Sequence, residues 1–160
     1  AVQLYFNGCV ANGADEGKIT AWAQEAKMQA LSADEIQKWG FEPAVRKAWG
    51  GHSPNGGRFL LAAGGQYCSV KARVADEAIV RREFMRLAEA GGGGLQAEPR
   101  GDLHTDAPFS LSQLAYAWNS EGSANEWMLT ATTSSASEAP MQAALNMYVV
   151  PREITRAISN

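Results

Sequence analysis

Apolar residues recur at two different periods along this chain, and the switch between them divides it. Val2, Tyr5, Phe6, Cys9 and Val10 fall at i, i+3, i+4, i+7 and i+8, which is one face of a helix. Ala11, Asn12 and Gly13 end it. Ile19, Trp22, Ala23 and Ala26 share a face of a second helix, expected over residues 15–30. Ser32 and Glu35 form a capping box: the serine caps the amide three residues on, and the glutamate reaches back. Ile36 and Trp39 then face inward and Gly40 is the stop signal. Residues 43–49 fit either a short helix or the entry to a strand, and residues 50–57 read as a glycine-rich loop.

Beyond that loop the period becomes two. Residues 58–63 and 66–74 flank Gly64 and Gly65, a hairpin signal. In the second of these strands Cys68, Val70, Ala72 and Val74 share one face, and Tyr67, Ser69, Lys71 and Arg73 share the other. A helix follows over residues 75–90, with Val80, Phe84 and Leu87 as its stripe and Asp76 and Glu77 at its positive end. Four consecutive glycines, Gly91 to Gly94, stop it. Residues 95–108 show no clear period and read as a polar loop. Three strands are expected over 109–118, 126–133 and 141–149, and a short terminal helix over 152–159. The order ααα-ββ-α-βββ, with short connections, predicts one α+β domain over residues 1–160. Its core would be a largely antiparallel sheet of about five strands with helices packed on one face.

Composition narrows the function. Fourteen basic and 17 acidic residues leave a net charge of −3, with no basic surplus to neutralise phosphates, so nucleic acid is not an expected partner. Apolar runs stop at a few residues, as in Phe59 to Ala63, far short of a membrane span, so membrane insertion is not expected.

The chain has two cysteines, Cys9 on the first helix and Cys68 on the core face of a strand. A helix packed on that face would bring them together, which favours a disulfide. Two buried free thiols are the competing reading. A disulfide would place the protein in an oxidising compartment, the periplasm or the cell exterior. The sequence starts Ala-Val-Gln, which fits removal of a signal peptide, although a trimmed chain would begin the same way.

Residues that could carry chemistry are few. His52 and Ser53 lie in the glycine-rich loop, with no Gly-x-Ser-x-Gly elbow in the chain. Asp102, His104 and Asp106 alternate, so an extended segment would show all three on one side. They lack the partner cluster a metal site needs, so neither a metal nor any other cofactor is expected. Cys9 and Cys68 have no Cys-x-x-Cys spacing to mark a reactive thiol. No catalytic set emerges. Trp118 and Trp127 border a polar hairpin loop containing Glu121, an arrangement that suits either a binding rim or a stabilising cross-strand pair. Asp102, His104, Asp106, Trp118, Glu121 and Trp127 are therefore the candidate partner-binding residues.

Several features in sequence order resemble a family of small exported proteobacterial proteins without established activity. They are Phe6-x-x-Cys9-Val10, a helix centred on Trp22, Trp49 before a strand, Cys68-Ser69-Val70, and Phe84-x-x-Leu87. The resemblance covers about the first 90 residues. It implies a signal peptide, a periplasmic address and a Cys9–Cys68 bridge, and it brings no catalytic residues. By analogy with small periplasmic proteins of this type, the expected function is that of an immunity protein. Such a protein is a non-enzymatic binder that occludes the active site of a cognate bacterial effector toxin. A small cell-envelope hydrolase, or an accessory subunit of an envelope secretion assembly, is the alternative.

Overall fold

The computed structural model describes residues 1–53 and 56–153. The far part of the helix expected over 152–159 lies outside the described residues. Among the described residues the α-helical elements are α1 (Val2–Tyr5, continuing as a π-helical turn over Phe6–Val10), α2 (Glu16–Glu25), α3 (Ala33–Lys38) and α4 (Glu77–Ala90). The expected five strands are corrected to eight: β1 (Gln29–Ala30), β2 (Lys47–His52), β3 (Arg58–Gly64), β4 (Tyr67–Ala72), β5 (Gln96–Thr105), β6 (Leu111–Asn119), β7 (Asn125–Thr133) and β8 (Ala143–Pro151). They form one sheet in the order β1-β2-β3-β4-β8-β7-β6-β5, and every pair is antiparallel. The three additional strands come from the end of the expected second helix (β1), from the ambiguous segment and loop (β2), and from the expected polar loop (β5).

Each half of the sheet is a four-strand meander, and α4 carries the chain from β4 across to the far edge at β5. Opposite residues of antiparallel neighbours share a face, so one row can be traced across all eight strands. It runs Ala30, Trp49, Leu61, Val70, Leu145, Ala131, Leu114 and Asp102. Seven of these eight are apolar, and the row lies under α1, α2 and α4. Asp102 ends it at the edge, where Arg81 of α4 caps the carboxylate.

Aromatic rings fasten the helices to this face. Tyr5 stacks near Phe84 at 6.1 Å, and Phe84 near Tyr116 at 6.2 Å. The Tyr5 hydroxyl donates to the carbonyl of Asn146 (2.8 Å), and burial pushes its pKa well up. Cys9 and Cys68 are both fully buried and joined as a disulfide, with Cα atoms 5.5 Å apart.

The other face is only partly open. Lys71 points to it, pairs with Glu42 (3.8 Å) and lies 4.5 Å from the ring centre of Phe41. Glu35 and Trp39 line a pocket with Leu60 and Lys71. The connection from α3 to β2 therefore covers the β3–β4 region from the side opposite the other helices. This corrects the expectation that all helices sit on one face. Gly64 marks the closest approach: a Cβ there would overlap the carbonyl oxygen of Ala44, so only glycine fits.

Glu16, in the first turn of α2, ties that helix to the β3–β4 turn. Its carboxylate accepts from the Gly65 amide (2.9 Å) and pairs with Arg46 (3.0 Å). The Gly65 hydrogen bond, aided by Arg46 and Lys47, holds its pKa below the usual carboxylate value. A depressed folded-state pKa contributes stability that is present above the unfolded-state pKa and lost as pH falls through the folded one. Glu16→Gln should therefore flatten the acid limb of stability against pH, below about pH 4.5, while leaving the neutral limb nearly level. Urea titrations from pH 6 to pH 3 on both proteins check this. An unchanged acid limb would contradict it.

Candidate functional site

A groove of about 1050 Å³ lies between the start of α4 and the β5–β6 edge. Local sequence builds each wall. Asp76 caps α4 by accepting from the Ile79 amide (2.9 Å). Helical spacing then turns Ala78, Arg81, Arg82 and Met85 toward the edge strand. On the sheet, Asp102 and His104 are two residues apart and so share the helix-facing side of β5. Ser112 of β6 stands directly opposite His104, and Thr133 of β7 directly opposite Ser112.

Polar groups in this groove are paired in a definite order. Arg81 Nη2 donates to both carboxylate oxygens of Asp102 (2.9 and 3.0 Å). The Thr133 hydroxyl donates to Glu77 Oε1 (2.9 Å), which fixes the first turn of α4 to β7. His104 bridges two partners: Nδ1 lies 3.1 Å from Ser112 Oγ, and Nε2 lies 2.9 Å from Asp106 Oδ1. An ionised carboxylate only accepts, so Nε2 carries the proton toward Asp106. In the neutral ring Nδ1 is then the acceptor for the Ser112 hydroxyl.

The candidate residues divide between the two ends of the sheet. Asp102, His104 and Asp106 come together at the groove, with strand β5 in place of the expected loop. Asp102 is engaged by Arg81 and Asp106 by His104. Among the described residues no group of three His, Cys, Asp or Glu side chains is placed to hold a metal ion. Trp118, Glu121 and Trp127 lie at the opposite end of β6, about 20 Å away at ~3.3 Å per residue. Trp118 is core: it is buried, and its indole nitrogen donates to the carbonyl of Ala88 (2.7 Å). Trp127 stands directly across from it on the same face, half-buried, so the two form a cross-strand pair. Glu121 is exposed in the turn that joins β6 to β7. His52 ends β2 opposite Arg58, toward the other edge of the sheet. The residue that sequence reasoning passed over is Ser112. Its only signal was a position in an alternating segment, and its place beside His104 depends on the β5–β6 register.

The outer side of β5 is the second feature of this region. The strand is ten residues long and forms one edge of the sheet. Its first half is interrupted by a bulge between Pro99 and Gly101. Its second half, residues 101–105, is exposed throughout, and Leu103 is 66% exposed.

Compared with family models, with curated proteins and with solved structures, the chain gives no match.

Proposed function

We propose that the chain is a partner-binding protein of the bacterial periplasm or cell exterior, acting as an immunity protein that occludes the cleft of an antibacterial effector. The disulfide fits an oxidising, extracytoplasmic compartment. The observation that carries the binding role is the outer edge of β5. Sheet edges present unpaired amides and carbonyls, and proteins commonly guard them with prolines, charges or bulges. Here Pro99, Arg100 and the bulge guard the first half only. The second half offers a regular edge with one large exposed apolar side chain, Leu103, between Asp102 and His104. A strand from a partner can add there, with main-chain hydrogen bonds supplying affinity and Leu103 supplying specificity. The net charge of −3 favours a basic partner and an association rate that falls with salt.

Affinity capture from an envelope extract, with the chain as bait, tests this directly. One dominant stoichiometric partner is expected, and co-expression should rescue cells from its toxicity. Leu103→Lys should weaken that partner's binding by about tenfold or more while leaving stability within about 0.5 kcal/mol, because the site is exposed. Binding that survives the substitution at full strength would remove β5 from the interface.

A further inference from the structure

We propose that Ser112 is a base-activated nucleophile that accepts acyl groups from activated esters and thioesters in the α4–β5 groove. This activity is separate from partner binding at the outer edge of β5. Nucleophilic catalysis by serine needs a base within hydrogen-bond reach and a third group that orients the base. Ser112, His104 and Asp106 meet that requirement in one chain of contacts, at 3.1 and 2.9 Å. The sheet fixes the first contact, because the two residues are directly opposite in an antiparallel ladder. Chain proximity fixes the second. Asp106 holds the Nε2 proton and leaves the Nδ1 lone pair facing the hydroxyl, so the serine is on Nδ1 and the acid on Nε2. Either ring nitrogen can take a proton, so this order serves the chemistry equally. The same groove is lined by Arg81 and Arg82, but each is already paired with a carboxylate, Asp102 (2.9 Å) and Glu83 (3.2 Å), so the charge that develops on the acyl oxygen meets only their residual field.

The step balances without a co-reactant. Ser112 Oγ adds to the acyl carbon as its proton moves to His104 Nδ1. The carbon–sulfur or carbon–oxygen bond to the leaving group breaks, and the thiol or phenol departs with that proton. Water then attacks the acyl carbon and gives a proton to His104 Nδ1; the bond from that carbon to Ser112 Oγ breaks, Nδ1 returns the proton to Oγ, and the carboxylic acid is released. The exposure of His104 and Asp106 sets the substrate class. A solvent-screened pair lowers the barrier modestly, so the leaving group must be a good one. Aryl esters and thioesters qualify, and peptide amides do not.

The test uses the full chain with its disulfide intact. It is treated with a fluorophosphonate probe and, separately, with 4-nitrophenyl acetate, and adducts are mapped by peptide mass spectrometry. A single adduct on Ser112 is expected. His104→Ala should slow its formation by about 100-fold, the usual share of a general base. His104→Gln should do the same, and Asp106→Asn should fall between. Ser123→Ala, on the distant β6–β7 turn, should leave the rate unchanged. All of these positions lie at the surface, and circular dichroism verifies that each variant is folded. No adduct, an adduct on another residue, or an equal rate in His104→Ala overturns the proposal.

Discussion

Removing the Cys9–Cys68 bridge by the double substitution C9A/C68A is expected to cost the fold about 4 kcal/mol, close to a thousandfold in the unfolding equilibrium. The bridge closes a loop with a sequence separation of 59. In the chain-entropy view a loop of that length loses about 4 kcal/mol of unfolded-state freedom when cross-linked. The double variant is the right comparison, because a single substitution leaves a lone buried thiol. Urea unfolding of both proteins measures the difference, and a loss under about 1 kcal/mol would contradict the entropic account. Both cysteines are fully buried. Reductant therefore has no path to the sulfurs in the native state, and reduction should track the opening of the N-terminal helix. That helix also holds Val2 and Tyr5 in the core. Its release would uncover the inner face of β4 and β8, the centre of the sheet where the two meanders join.

What could be read from the sequence follows from which elements bury one face. β8 alternates because its inner face packs under the helices while its other face is more open, and the bounds of β6, β7 and β8 fall within about two residues of those expected. The β3–β4 hairpin is marked by Gly64 and Gly65, and Gly65 does take the positive φ that its turn demands. The capping box at Ser32 and Glu35 forms as expected. β5 was illegible for the same physical reasons. It is an edge strand exposed on most of its length, so no buried face imposes alternation. Its bulge at Arg100 shifts the side-chain parity midway. β2 was hidden by Gly50 and Gly51, which carry no side chain to show a face, and β1 is only two residues long. The site was half legible. Asp102, His104 and Asp106 stood out because their spacing is local. Ser112 did not, because its contact with His104 exists only once the register of β5 on β6 is set.

Glu126→Ala is expected to destabilise the fold by about 3 kcal/mol or more, as the loss of one member of a buried charge group does. Glu126 is fully buried on the sheet face away from α4 and accepts from Arg100 Nη2 at 2.8 Å, with Arg152 Nε 3.9 Å away. Arg100 sits in the β5 bulge and crosses β6 to reach β7. Ala115 and Ala117, the small residues of β6 on that face, leave room for its long side chain. Truncating the glutamate leaves a guanidinium that is 16% exposed, with Glu98, itself 41% exposed, as its remaining acid partner among the described residues. Among the described residues, Glu126 Oε1, Arg100 Nε and Asn119 Nδ2 are buried without a hydrogen-bond partner. Replacing both ends together, as R100M/E126M, should therefore be close to neutral or stabilising, since an apolar pair removes the desolvation cost along with the attraction. Urea unfolding of the wild type, both single variants and the double variant gives the coupling energy. A double variant as unstable as the worse single one would mean that the pair contributes more than its desolvation costs. The bulge also guards the first half of the β5 edge. In the double variant that guard loosens with little change in global stability. Amide exchange along β5 should then rise in residues 96–101 ahead of residues 102–105, which keep Asp102 tied to Arg81 and His104 tied to Ser112.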